Sequence, residues 1–147
     1  MIQITILAAV LLAALAVGIL LRRRDGKVRA GAGIGATESA RAELLAAVGV
    51  TGTGPTVLHF SAEWCGPCAA VRRVVANVTG QLAGSPQPPQ DIEVDIDAEP
   101  ALARELNVLS LPTTFVFDTA GRERFRISGV PKDRDLHSAL EPLTSAA

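Results

Sequence analysis

The chain has 147 residues, enough for one domain of ordinary size and too few for two independent cores. Its 14 basic and 15 acidic residues nearly balance, but five of the basic and one of the acidic precede position 37, leaving nine against fourteen over the remainder. An acidic globule with few aromatics lacks the basic footprint that phosphate contacts require, which excludes a nucleic-acid partner, and two cysteines cannot build the disulfide framework of a secreted mini-protein.

From Ile2 to Leu21 only Gln3, Thr5 and Gly18 interrupt an apolar run of 20 residues. At about 1.5 Å rise per residue such a run spans the roughly 30 Å hydrocarbon core of a bilayer, so residues 1–21 read as a transmembrane anchor and the lipid bilayer as a partner. Only Met1 precedes the run, whereas Arg22, Arg23, Arg24, Lys27 and Arg29 follow it. Basic residues beside a span stay cytoplasmic, so the expectation is a single-pass protein of the cell membrane with its folded part on the cytoplasmic side. The competing reading is a cleaved signal peptide, which needs a basic segment before a shorter apolar stretch. Here the charge follows the run, and the small-x-small triplet Ala30-Gly31-Ala32 lies beyond the arginines.

Residues 22–36, rich in Gly, Ala and charge without an apolar period, read as a tether, and the folded domain is expected over 37–147. Thr37 is placed to cap a helix bearing Ala40, Leu44, Leu45 and Val48, with Gly49 to end it. Thr56 to Phe60 is a short β-branched and aromatic run that reads as a buried strand. From Cys68 to about Leu82, Val71, Val74, Val75, Val78 and Leu82 fall at helical spacing, and the prolines of 84–90 mark a loop. Ile92, Val94 and Ile96 alternate with acids as a strand, Pro100 opens a short helix through Leu106, and Thr113 to Asp118 is a second apolar strand. Ala120-Gly121 turns the chain into a strand over 123–128, and a last helix runs from about Lys132 to Leu143. The order predicts an α/β sandwich with a central mixed β-sheet flanked by helices.

The chemistry concentrates in Trp64-Cys65-Gly66-Pro67-Cys68. Cysteines at i and i+3 can close a disulfide when the second lies on the first helical turn; Gly66 permits the close turn and Pro67 suits a helix start. A sulfur at a helix N-terminus faces unpaired N–H groups and the positive end of the dipole, which favours thiolate. Cys65 is then the nucleophile on a target disulfide, and Cys68, one turn along, resolves the mixed disulfide. A zinc site would need four ligands, and His59 and His137 do not supply them within one chain, so no metal is expected. An inert structural disulfide is disfavoured on the cytoplasmic side, where thiols are kept reduced.

The run Ala62-Glu63-Trp64-Cys65-Gly66-Pro67-Cys68 after a buried strand, with Leu111-Pro112-Thr113 further on, resembles the thioredoxin family over about residues 37–147. Asp95-Ile96-Asp97, Gly121 and Gly129 fall at fitting intervals. The resemblance implies a thioredoxin fold and a cis peptide before Pro112, where the sequence by itself reads only as a proline opening a strand. It also implies that Trp64, Gly66, Pro67, Leu111 and Pro112 line the substrate contact, with the Leu111 backbone pairing with an extended substrate segment; Trp64 could otherwise be a partly buried core aromatic. No cofactor is implied beyond the Cys65-Cys68 couple, and the partners are disulfide-containing proteins and a reductase or other dithiol donor.

Three positions depart from the family. His59 stands where a buried aspartate is usual, Glu93 where a lysine usually neighbours it, and Arg73 where a proline usually kinks the helix. His59 is a candidate catalytic residue that relays the proton of the resolving step, beside the reading of a hydrogen-bonded core histidine; Glu93 is a candidate partner for it. The expected function is reduction of protein disulfides at a membrane surface. Its alternatives are an extracytoplasmic thiol-disulfide exchange protein of the cytochrome-maturation type and a non-catalytic binding module built on the same fold.

Overall fold

The computed structural model describes the helical residues Ile6, Val10, Leu12, Ala14 and Leu15, the strand 28–30, and residues 38–145. Its elements are β1 (Val28–Ala30), α1 (Glu38–Ala47), β2 (Thr56–Ser61), α2 (Cys68–Gln81), β3 (Gln90–Asp95), α3 (Pro100–Glu105), β4 (Thr113–Phe117), β5 (Glu123–Ser128) and α4 (Asp133–Thr144). Apart from the five helical positions, the expected span over 1–21 lies outside the described residues. Among the described residues no helix is long and apolar enough to cross a membrane.

Five strands form one sheet in the order β1-β5-β4-β2-β3. β2 and β3 run parallel because α2 crosses between them, while β2-β4, β4-β5 and β1-β5 are antiparallel. Every residue of β2 is buried, as expected of a strand covered on both faces. Its alternate side chains feed two separate cores. Leu58 and Phe60 pack with Phe115, Phe117 and Val94 beneath Leu45 of α1 and Leu102 of α3. Val57 packs with Val116 and Ile127 beneath Val71, Val75 and Val78 of α2 and Leu136 and Leu140 of α4. Burying each such side chain contributes about 1.5–3 kcal/mol, so the sheet is fixed in register from both sides.

Helix boundaries follow the punctuation in the sequence. Gly49, at φ +99°, ends α1 in a conformation that side chains disfavour, and α2 runs unbroken through Arg73, which is exposed. β3 begins two residues before the apolar alternation, because the Gln90 N–H donates to the Pro55 carbonyl at 2.8 Å and carries the pairing back to the start of β2. An addition is β1, drawn from the segment read as a tether: Val28 pairs with Ile127 and Ala30 with Phe125 along the β5 edge. A three-residue strand is too short to show an apolar period, so the sequence carried no sign of it. At the other edge β3 is outermost.

Candidate active site

The chain leaves the carboxyl end of β2 and turns directly into α2. The Cys65 N–H donates to the Ala62 carbonyl at 3.1 Å, and the Cys68 N–H to the Cys65 carbonyl at 3.3 Å. Pro67 caps α2 at φ −66°, and its carbonyl takes the N–H groups of Ala70 and Val71. This tight turn joins Cys65 to Cys68 in a disulfide with Cα atoms 5.5 Å apart. The two sulfurs differ in access: Cys65 is half-buried, whereas Cys68 is 1 % exposed. The Cys68 Sγ lies 3.9 Å from the Phe60 carbonyl, which would accept from an S–H there in the dithiol state.

Trp64, the only tryptophan, is 70 % exposed, and its indole N–H donates to Asp97 Oδ2 at 3.1 Å. Asp97 is set in turn by its own N–H, which donates to Asp95 Oδ1. Gly66 and Pro67 are exposed beside it. The Leu111-Pro112 peptide is cis, Pro112 is buried and Leu111 half-buried. The Pro112 carbonyl accepts from the Gly129 N–H at 2.9 Å, and among the described residues the N–H and carbonyl of Leu111 have no backbone partner. Within residues 38–145 the exposed large apolar side chains are Trp64, Leu109 and Val130. They lie in the loops 62–67, 108–112 and 129–132, which carry the cysteine turn, the cis peptide and Gly129.

His59 is 2 % exposed on the α2 face of β2. Its Nε2 lies 3.1 Å from Asp91 Oδ1, while among the described residues its buried Nδ1 has no hydrogen-bond partner. A carboxylate at Nε2 assigns the ring proton there, leaving an inward lone pair on Nδ1. Thr114, its register partner on β4, likewise has a buried Oγ1 without a partner among the described residues.

The expectation that Glu93 pairs with His59 is corrected. Glu93 is the register partner of His59, but its carboxylate bonds to the Arg72 guanidinium at 2.7 Å and Asp91 takes the imidazole. A guanidinium that is always charged outcompetes an imidazole for the same carboxylate. Burial pushes the Glu93 carboxyl upward, but hydrogen bonds from Ser61 and Arg72 and the charge of Arg72 outweigh it and hold the pKa below the ordinary 4.5. Asp91 escaped the sequence reading because the strand was started at Ile92. Extended two residues upstream, the same alternation places Asp91 on the His59 face. His137 sits half-buried on α4, and among the described residues no cluster of three or more His, Cys, Asp or Glu could hold a metal ion.

The family model for thioredoxin matches residues 41–142. The chain is 40% identical over 63 residues to a thioredoxin of Mycolicibacterium smegmatis, covering 43% of this chain and 55% of that one. It is 38% identical over 87 residues to a thioredoxin of Chlamydia caviae, covering 56% of this chain and 76% of that one. Among solved structures, a mutant thioredoxin from Halobacterium salinarum NRC-1 superposes with a TM-score of 0.57 at 25% identity, over 66% of this chain and 80% of that one. The chain spans 54–59% of the length of the first three curated relatives it matches.

Proposed function

This chain belongs to the thioredoxin family, and on that premise we propose that it is a protein-disulfide reductase held at a membrane surface. The observation that carries the proposal is the unequal access of two sulfurs at one helix start. The half-buried Cys65 meets a target and the buried Cys68 does not.

In the dithiol state Cys65 sits before the first turn of α2, where free N–H groups stabilise its thiolate. The thiolate attacks one sulfur of a target disulfide, forming a Cys65-target bond and releasing the other target sulfur as thiolate. Cys68 then loses its proton and attacks Cys65, restoring the Cys65-Cys68 bond and releasing the second target thiolate. Two electrons pass to the target in each cycle, and a dithiol donor or reductase returns them. The couple is the redox centre, so no further cofactor takes part.

His59 is the proton acceptor for the resolving step, its Nδ1 lone pair facing inward and Asp91 stabilising the imidazolium that forms. An extended target segment pairs with the free N–H and carbonyl of Leu111, flanked by Trp64, Gly66, Pro67 and Pro112. The apolar side chains of Trp64, Leu109 and Val130 around these loops suit a protein rather than a small ionic target.

The apolar run 1–21 anchors the chain in a bilayer, with Arg22, Arg23, Arg24 and Lys27 at the cytoplasmic headgroups ahead of β1. Ile6, Val10, Leu12 and Leu15 are helical and more than half exposed, which supports a role outside the domain core. A tether of this kind raises the effective concentration toward membrane-proximal targets.

Insulin-disulfide reduction by the full-length chain in detergent or nanodiscs tests the activity. Turnover no faster than dithiothreitol alone removes the enzyme reading and leaves a binding module. Labelling of the cysteines in intact cells by a membrane-impermeant thiol reagent would place the domain outside the cytoplasm, as in the extracytoplasmic alternative.

A further inference from the structure

The loop Val108–Pro112 carries the backbone groups assigned above to substrate, and the contact that sets its starting point lies on a strand outside the site. α3 closes with the Asn107 N–H on the Arg104 carbonyl at 3.0 Å and the Val108 N–H on the Ala103 carbonyl at 2.9 Å, with Asn107 in the left-handed region at φ +51°. This helix ending turns the Asn107 carbonyl outward, where a glycine or asparagine is the usual occupant. The acceptor is met by Nη1 of Arg126 on β5 at 3.4 Å.

The Arg126 guanidinium has little freedom to point elsewhere. Its Nε and Nη2 grip both oxygens of Glu123 at 2.9 and 3.2 Å, and its carbon lies 4.6 Å above the centre of the Phe115 ring, the register partner of Arg126 on β4. The Glu123 carboxylate, only 3 % exposed, is also held by Arg41 Nη2 of α1 at 2.8 Å. A two-toothed grip and an aromatic face fix the plane, which leaves one edge aimed at one carbonyl. The loop is tied twice more: the Thr113 hydroxyl donates to the Ser110 carbonyl at 2.7 Å, and the Gly129 N–H to the Pro112 carbonyl. Leu111, whose N–H and carbonyl have no backbone partner among the described residues, lies between these ties.

We infer that Arg126, locked by Glu123 and Phe115, is a positioning residue that presets the Leu111 backbone for protein targets, so that its loss weakens capture of an extended polypeptide and spares the sulfur chemistry. The inference rests on the reductase reading and refines it. A preset loop lowers the ordering cost on binding, so the effect belongs in KM.

The test uses the full-length chain in nanodiscs with two substrates, insulin and a small aromatic disulfide that has no backbone to pair. Arg126→Gln is expected to raise KM for insulin about 5-fold, the equivalent of about 1 kcal/mol, with kcat and the rate on the small disulfide changed less than about twofold. Arg126→Lys keeps the charge but not the fork, and should raise KM similarly. Arg122→Gln removes the same charge from the neighbouring turn and should leave KM unchanged. Glu123→Gln keeps shape and an acceptor, and should move KM in the same direction by a smaller factor; it carries the test where Arg126→Gln does not fold. Equal losses on both substrates, an unchanged KM, or full recovery in Arg126→Lys would overturn the inference. A wild-type chain inactive on insulin would instead overturn the reductase reading.

Discussion

Replacing His59 by leucine separates the proton role of this histidine from its place in the core. Leucine is of similar bulk, so no large cavity opens. The change removes the bond from Nε2 to Asp91, whose side chain is 34 % exposed and is re-solvated by water, a loss of about 1 kcal/mol. It also removes a buried Nδ1 that has no partner, a relief of about 1–3 kcal/mol. The variant should therefore be as stable as the parent or up to about 2 kcal/mol more stable in urea unfolding. Disulfide turnover should move the other way, because a positioned base contributes roughly 10²-fold at the lower end of its range. The assay is insulin reduction across a pH series: the Cys65 thiolate makes both proteins faster as pH rises, and only the parent should carry the additional dependence of a base that must be unprotonated to act. Equal pH profiles for the two proteins would return His59 to the standing of a core residue. A variant destabilised by several kcal/mol would refute the reading of Nδ1 as an unmet group.

Cys68→Ser should accumulate a stable mixed disulfide between Cys65 and target, visible as a dithiothreitol-sensitive adduct by mass, whereas Cys65→Ser should form none. Because Trp64 is the only tryptophan and lies beside the couple, its fluorescence should change on reduction, and Asp97→Ala, which frees the indole N–H, should shift the emission in both states. Asp118 accepts the N–H groups of Ala120 and Arg122 and the side chains of Arg122 and Arg124, and clamps the β4-β5 turn. Burial pushes its carboxyl upward, but these bonds prevail and hold the pKa below the ordinary 3.8. Its stabilisation is thus present above that value and lost as pH falls through the lower folded value, so Asp118→Ala should cost about 2 kcal/mol near pH 7 and progressively less below about pH 4 in thermal melts. Deleting residues 1–21 should release the chain from the membrane fraction and leave the insulin-reduction rate in solution within about twofold, in keeping with a span that adds proximity and no chemistry.

The sheet strands after Gly52 were readable because apolar period and turn residues agree there, as in Thr56 to Phe60 between a breaker cluster and the cysteine run. The disulfide was readable from spacing alone, since i and i+3 at a helix start leave little choice of partner. What escaped was pairing between side chains distant in sequence. Nothing in the run Asp91-Ile92-Glu93 says which acid reaches His59, because that depends on the register of β2 against β3 and on Arg72 arriving from α2 to occupy Glu93. The tie from Arg126 to Asn107 was hidden for the same reason: it exists only once β5 is folded against β4 and the end of α3 is turned outward. β1 was missed because backbone pairing leaves no signature in three residues.

The outermost position of β3 bears on how copies of this protein behave toward one another. A free edge invites a second chain to extend the sheet, and two β3 strands docked antiparallel about Glu93 would set Asp91 against Asp95 and Glu93 against its twin. Carboxylates set side by side repel. The acidic row of β3 thus weighs against edge-to-edge aggregation, a hazard that would sharpen if the proposed anchor gathered many copies onto one two-dimensional surface.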